Sequence, residues 1–162
     1  MNRFRVAALL ALVGLLTFGT QALAKGRDDV YTGALNPETG PPQPTINLYV
    51  HTQRHHDGKV VTTIKNIVLL DAYYTCSDGN VWAPGSTGGN RSKLTFTDVR
   101  IKLKGRSFSR TVIEDSSSLH LTLAGRIPKH GSAIGTARFT ESVEPPLGNC
   151  DSGPLTWTAP RQ

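Results

Sequence analysis

Residues 94–127, LTFTDVRIKLKGRSFSRTVIEDSSSLHLTLAGRI, contain two runs in which apolar and polar side chains strictly alternate. In the first run Val99, Ile101 and Leu103 alternate with basic residues, and in the second run three leucines occupy every second position from Leu119. Successive side chains of a β-strand point to opposite faces, so this period of two predicts two strands with one buried and one solvated face. A buried face needs a second layer, and the rest of the chain offers only further strands to form it.

The segment before this stretch repeats the alternation. The predicted domain begins at Thr45, and an alternating strand leads into Asp57-Gly58, a dipeptide that favours a two-residue turn before a return strand. The register that follows from this turn places Leu48 beside Ile67. It also requires a bulge near Lys65 to keep the apolar residues on one face.

Two further strands are predicted at 133–140 and 155–159, and Gly135 in the first of them indicates a bulge or a close approach of two backbones. In total the sequence predicts about eight strands and no helix, which indicates an all-β antiparallel sandwich or small barrel. Trp82 falls in a loop and not on a strand between the two cysteines. We therefore favour a jelly-roll-like or irregular β-sandwich over an immunoglobulin-like one.

Three segments divide the chain. Residues 1–24 have the features of an export signal peptide: basic residues, an apolar run and an A-x-A cleavage site at 22–24. Residues 25–44 contain four prolines and three glycines, so we predict a flexible lead. Residues 45–162 form the predicted β-sandwich domain, a length that suits one domain.

The two cysteines and the net charge set limits on location and partners. In an exported chain Cys76 and Cys150 are expected to form a disulfide bond, with free thiols or a metal pair as the alternatives. Zinc is disfavoured because neither cysteine has a second Cys or a His within four residues. Cleavage after residue 24 leaves sixteen Lys and Arg residues against twelve Asp and Glu residues. This mild positive charge permits an anionic partner, but it lacks the dense basic run of a nucleic-acid-binding protein.

Three short motifs carry a resemblance to other proteins. A strand ends in CSDG at 76–79, a glycine-bearing strand follows at 133–140, and CDSGPLTWTA occupies 150–159. This pattern resembles small exported bacterial β-sandwich proteins that have no assigned activity. The resemblance covers about residues 45–160. It implies a sandwich with a disulfide bond between the two cysteines, and it implies no catalytic residues.

The loop at 77–92 is the first candidate binding site, because loops longer than about 12–15 residues are usually functional or disordered. Trp82 in the loop, with Tyr73 and Tyr74 just before it, predicts a stacking platform for sugar rings. Asp78 is a candidate cation ligand in the same loop, although the spacing of a calcium loop is absent. The alternative is that Trp82 folds back over the sheet edge as an anchor.

A basic patch is the second candidate. Arg100, Lys102 and Lys104 occur at two-residue spacing, so a strand would present all three on one face, with Arg106 and Arg110 nearby. Like charges this close repel each other, and contact with an anionic cell-envelope polymer would relieve the repulsion. The alternative is a solvated outer face that prevents edge pairing. No aromatic residues alternate with the charges, which argues further against nucleic acid.

Metal and enzyme sites are weaker hypotheses. His51 and His55 share one face of a strand but lie about 13 Å apart at its rise per residue, too far for one ion. Carboxylate pairs for a glycan hydrolase occur at 114–115 and at Glu141 with Glu144, although acids at such positions more often make a turn soluble. Residues 149–155 resemble the nucleophile segment of chymotrypsin-like proteases, but a glycine and the segment with the base are missing.

We therefore expect a secreted, non-catalytic binding or structural module, outside the cell or at its surface. It should need no cofactor and no metal, and it should have no membrane span once the signal peptide is cleaved. The favoured partner is a cell-wall glycan or an anionic cell-envelope polymer. The alternatives are a small glycan-active hydrolase and a structural coat or adhesion subunit.

Overall fold

The computed structural model describes residues 26–36, 43–83, 92–113, 118–145 and 148–162. Within these ranges the chain forms β-strands and no helix, and every strand pairing is antiparallel. The strands are, in chain order, β1 Arg27–Asn36, β2 Thr45–Arg54, β3 Val60–Leu70, β4 Tyr74–Cys76, β5 Val81–Trp82, β6 Lys93–Phe96, β7 Ile101–Lys102, β8 Ser107–Ile113, β9 Leu119–Arg126, β10 Ala133–Ser142, β11 Asn149–Asp151 and β12 Leu155–Ala159.

The predicted all-β antiparallel fold is confirmed, but the described residues form twelve strands and not about eight. The prediction missed β1, which lies in the segment predicted to be flexible, and it missed short strands such as β5 and β11, which contain two and three residues. An alternating pattern cannot be recognised over so short a length.

The twelve strands belong to one hydrogen-bonded sheet. One path of neighbours runs β8, β9, β10, β12, β1, β2, β3 and β7. A tight turn then leads from β7 back to β8, where Lys104 and Ser107 exchange backbone hydrogen bonds of 2.9 and 3.2 Å. Hydrogen bonding therefore returns to its starting strand, and the inward side chains meet in one core.

The predicted register between β2 and β3 is confirmed. Leu48 pairs with Ile67, and the register shifts by one residue at Lys65, so that Val50 pairs with Ile64. The extra residue at Lys65 is the predicted bulge. It keeps Val50 and Ile64 on the inner face with Leu48 and Ile67, and all four side chains are buried.

The β2–β3 turn is one residue longer than predicted. The His55 N–H donates to the Lys59 carbonyl at 2.8 Å, so three residues, 56–58, form the turn. Gly58 has a φ of 78°, a left-handed conformation that glycine adopts at little cost. The longer turn shifts the pairing of β2 with β3 by one residue, and the bulge at Lys65 shifts it back. The pairs beyond the bulge, such as Leu48 with Ile67, are therefore the predicted ones.

The strand predicted over 93–104 is interrupted between β6 and β7. Asp98 and Arg100 have positive φ values of 52° and 47°, which no extended strand contains. The Asp98 N–H donates to the side-chain oxygen of Asn66 at 3.1 Å, next to the bulge at Lys65. Because the bulge bends β3 at this point, its neighbouring strand breaks at the same level.

The segment predicted to be flexible, 25–44, contains β1, which pairs with β2 on one side and β12 on the other. Its inward side chains Tyr31 and Leu35 are buried. The domain therefore includes residues from Arg27 onward and does not begin at Thr45. The four prolines that suggested flexibility all lie after β1, so they do not interrupt its pairing.

The largest side chain in the core is Trp157 of β12, which is 1% exposed. Its ring stacks on Phe108 with a centroid distance of 6.3 Å. Gly125 of β9 and Gly135 of β10 face the same indole, and a Cβ added to either glycine would lie within 2.6 Å of its Cζ2 atom. The predicted close approach at Gly135 is confirmed, and the absence of two side chains makes the space for Trp157.

Substitution of Gly135 by alanine is expected to lower the free energy of unfolding by about 2–3 kcal/mol, since overpacking of a filled core typically costs 1–3 kcal/mol. The new Cβ would lie 2.1 Å from the Ala124 carbonyl oxygen, a backbone atom that cannot rotate away. Urea denaturation measures the change. Ile134→Ala, at the exposed neighbouring position, is the control and should cost less than about 1 kcal/mol. Equal effects of the two substitutions would contradict the packing described here.

Candidate functional site

A cavity of about 630 Å³ opens at one end of the sheet. The β2–β3, β7–β8 and β9–β10 turns surround it, together with the first residues of β1 and residue Arg161 after β12. We call it the end cavity. Its volume falls within the range of roughly 300–1,000 Å³ that is usual for small-ligand sites.

The floor of the end cavity is apolar. Tyr31, Val50 and Ile127 are each 5% exposed or less, and Leu103 is partly buried against the same core. These side chains come from four different parts of the sheet, which the closed path of hydrogen-bonded strands brings together. The apolar surface that a ligand would remove from water belongs to the partly buried Leu103 and to Val60, which also lines the cavity and is 52% exposed.

The rim of the end cavity is strongly cationic. Six charged residues line the cavity: Arg27, Asp29, Lys59, Arg106, Lys129 and Arg161. Five positive charges and one negative charge thus surround a single opening. A concave opening with charges of one sign attracts ligands of the opposite sign and raises their local concentration.

Asp29 neutralises one side of the rim. It accepts hydrogen bonds from Arg27 Nε at 2.9 Å and from Arg161 Nη2 at 2.5 Å. By contrast, Lys59, Arg106 and Lys129 make no ion pair within the part of the chain that the structure describes. These three unpaired cations come from three different turns, and they repel one another across the opening.

Tyr31 adds a phenol to the cavity lining. Burial raises its pKa, the negative charge of Asp29 raises it further, and the positive charge of Arg27 opposes the shift. The hydroxyl therefore stays protonated at neutral pH and remains a hydrogen-bond donor.

The opposite end of the sheet holds the disulfide bond between Cys76 and Cys150, as predicted. The two cysteines face each other directly in the pairing of β4 with β11. Both are buried. The bond therefore attaches the short strands that follow β3 and β10 to each other.

Tyr74 is buried beside this disulfide and packs edge-on against Phe139, with ring centroids 6.0 Å apart. Its hydroxyl donates a hydrogen bond to Glu141 Oε2. Burial, the hydrogen bond to Glu141 and the charge of that carboxylate all raise the pKa of Tyr74 above its ordinary value. In this position its ring face packs against the protein interior.

Tyr74→Phe is expected to lower the free energy of unfolding at pH 7 by about 1–2 kcal/mol, because Glu141 loses a hydrogen bond. The pKa of Tyr74 is higher in the folded than in the unfolded chain, so its contribution is present below about pH 10 and is lost as the pH rises further. The stability difference between the two proteins should therefore narrow above pH 10. Urea denaturation at several pH values measures it.

The exposed Tyr49 supplies the matched control for this experiment. Tyr49→Phe should change stability by less than about 0.5 kcal/mol at pH 7. A Tyr74→Phe penalty that stays constant from pH 7 to pH 11 would contradict the role assigned to the Tyr74 hydroxyl.

The other members of the predicted aromatic site lie near this end. Trp82 is 45% exposed on β5, and its partner in the pairing of β4 with β5 is the buried Tyr74. Tyr73 is half-buried. Asp78 is exposed and receives hydrogen bonds from the backbone and side chain of Asn80, at 3.0 and 2.8 Å. The part of the predicted loop at 84–91 lies outside the described residues.

The predicted basic patch does not lie on one continuous strand. Lys102 belongs to β7, Arg100 precedes it with a positive φ, and Lys104 lies in the bridge to β8. All three are exposed. Arg106, the next basic residue along the chain, turns into the end cavity instead.

Three of the remaining metal and enzyme candidates, His51, Glu141 and Ser152, make other contacts in the described structure. Among the described residues no group of three His, Cys, Asp or Glu side chains is placed to hold a metal ion. His51 instead pairs with Asp28, with Nδ1 and Oδ1 2.6 Å apart. The Ser152 hydroxyl donates to the Gly153 carbonyl and accepts from the Phe139 N–H. The hydrolase pair at 114–115 lies outside the described residues, and Glu141 is the partner of Tyr74.

The cations of the end cavity were missed by the sequence reasoning, apart from Arg106. Arg27 lay in the segment taken to be flexible, and Lys59 and Lys129 stand far apart in sequence. The available signal was that each of the β2–β3, β7–β8 and β9–β10 turns carries a basic residue beside or near a glycine. Alternate turns of an antiparallel sheet lie at the same end, so these residues were candidates to converge.

The disulfide bond is compatible with an extracellular or periplasmic location. No helix long and apolar enough to cross a membrane occurs in the part of the chain that the structure describes.

Comparisons with protein-family models, with curated proteins and with solved structures found no match for this chain. Its function must therefore be argued from its own geometry.

Proposed function

We propose that this protein is an exported, non-catalytic binding module that takes an anionic ligand at the end cavity. The observation that carries the proposal is that three cations around one opening, Lys59, Arg106 and Lys129, have no ion-pair partner among the described residues. Such a cluster destabilises the folded protein when it is empty of anions, and a bound anion would relieve this repulsion. An anionic component of the cell envelope, met after export, is the partner that fits this charge.

The arrangement of the fold supports a binding role. The rim cations Lys59, Arg106 and Lys129 lie in connections between strands, and the paired strands behind these connections hold them in place. We also propose that the two halves of the curved sheet face each other as in a jelly-roll-like or irregular sandwich, with the core between them. The resemblance to small exported bacterial proteins is consistent with this arrangement.

Isothermal titration with sucrose octasulfate, and with sucrose as the neutral counterpart, tests the proposal. We expect the octasulfate to bind and sucrose not to bind, with an affinity that falls as salt is added. The variant Arg106→Gln/Lys129→Gln should bind about tenfold more weakly, since two exposed ion pairs contribute roughly 1.4 kcal/mol together.

The matched control also removes two positive charges, but from residues outside the end cavity. Lys102→Gln/Arg110→Gln changes two exposed strand residues that do not line the end cavity. If this pair weakens binding as much as Arg106→Gln/Lys129→Gln does, the basic patch or the net charge binds the anion, and the end cavity does not. Binding of sucrose that depends on Trp82 would instead favour a neutral glycan at the opposite end.

A further inference from the structure

The floor and the rim of the end cavity differ in chemistry, and this difference restricts the kind of anion that fits. A fully hydrated ion at the rim would leave the apolar floor in contact with water. An apolar group attached to the anion would cover Val60, which is 52% exposed, and the partly buried Leu103, both of which line the cavity. The floor therefore favours a ligand with an apolar body.

The charges on the rim are unevenly distributed. Asp29 holds Arg27 and Arg161 on one side, at 2.9 and 2.5 Å, so this side is partly neutralised. The unpaired cations Lys59, Arg106 and Lys129 come from the three turns. One compact anionic group in contact with these turns would satisfy the excess charge.

We infer that the ligand of the end cavity is a small amphipathic anion, with an apolar body on the floor and one terminal carboxylate or phosphate at the rim. This inference rests on the proposed function and narrows it from anions in general to one class. The cavity volume of about 630 Å³ accommodates a body of several carbon atoms. A straight-chain fatty acid and an alkyl phosphate share this chemistry and differ only in the head group.

Titration of the folded, disulfide-bonded protein with the sodium salts of butanoic, hexanoic, octanoic and decanoic acid tests the inference, at concentrations below micelle formation. Affinity should rise about threefold for each methylene added, because each buried methylene contributes about that factor. Octanamide, which has the same body without the charge, should bind about tenfold more weakly than octanoate. Octyl phosphate in place of octanoate distinguishes the two head groups.

Variants of the floor and rim locate the binding. Val60 lines the cavity and is 52% exposed, so Val60→Ser should fold and should weaken decanoate binding several-fold without affecting butanoate. Ile134 is equally exposed, at 53%, but lies outside the cavity, and Ile134→Ser is the matched control. Arg106→Gln should weaken all four acids by a similar factor.

Three results would overturn the inference. If affinity does not depend on chain length while sucrose octasulfate still binds through Arg106 and Lys129, the ligand is a simple anion and the proposed function stands. If Val60→Ser and Ile134→Ser weaken decanoate equally, the acids bind elsewhere on the surface. If neither sucrose octasulfate nor decanoate responds to the cavity variants, the inference and the proposed function both fail.

Discussion

Replacement of both Cys76 and Cys150 by alanine is expected to lower the free energy of unfolding by about 4–5 kcal/mol. The bond joins residues 74 positions apart, so it removes much of the freedom of the unfolded chain. The strands that it connects, β4 and β11, are also joined by the residue pair Asp151 with Thr75 and by hydrogen bonds between Ser77 and Asn149. Urea denaturation of the two proteins measures the difference.

Reduction of the unmodified protein provides the control for this experiment. Dithiothreitol should lower its urea midpoint to near that of the double alanine variant, and it should leave the variant unchanged. Hydrogen exchange should quicken most in β4 and β11, since the bond holds them together. Equal urea midpoints and slopes for the oxidised protein and the variant would contradict the stabilising role of the bond.

Trp157→Ala is expected to cost about 3–5 kcal/mol, because it empties the space between Phe108 and the two facing glycines. Neither Gly125 nor Gly135 carries a side chain that could move into the cavity left behind. Thermal and urea denaturation, followed by circular dichroism, measure the loss.

Two further tryptophan variants separate the causes of this loss. The indole Nε1 is buried and has no hydrogen-bond partner among the described residues, so Trp157→Phe should cost clearly less than Trp157→Ala. Trp82→Ala, at a residue 45% exposed, should cost less than about 1 kcal/mol. If phenylalanine at position 157 is as destabilising as alanine, the indole makes a polar contact, and packing is not the main contribution.

A regular alternation predicted strands correctly at β9 and β12, but the equally regular run at 99–103 contains only the two-residue β7. β9 and β12 follow the predicted pattern, with Leu121 and Trp157 inward. The bulge at Lys65 could be predicted because a charged residue interrupts an otherwise apolar face. The effect of this bulge on the neighbouring strand could not be predicted. The break at 97–100 depends on a contact between residues about thirty positions apart.

The place of β1 could not be inferred from composition. Only Tyr31 and Leu35 are deeply buried in it, and two such residues in a polar, proline-flanked segment give a weak signal. The strand is stabilised chiefly by its position between β2 and β12, which satisfies its backbone hydrogen bonds on both sides. This tertiary contribution has no counterpart in the local sequence.

The disulfide bond could be predicted from the number of cysteines, whereas the end cavity could not be predicted from any one motif. Its rim combines residues from both ends of the chain and from three turns, among them Arg27, Lys59 and Arg161. Their proximity depends on β1 being in the sheet and on the return of hydrogen bonding at Lys104 and Ser107. Local sequence patterns instead predicted binding sites at Trp82 and at the basic residues near Lys102.

Amide chemical-shift mapping of the folded protein with sucrose octasulfate tests most directly whether an anion binds at the end cavity. The largest shifts are expected at the backbone N–H groups of Lys59, Arg106 and Lys129, in three turns that only the folded structure brings together. Shifts centred on Trp82 or on Arg100 and Lys102, with those three turns unchanged, would contradict the assignment of the site.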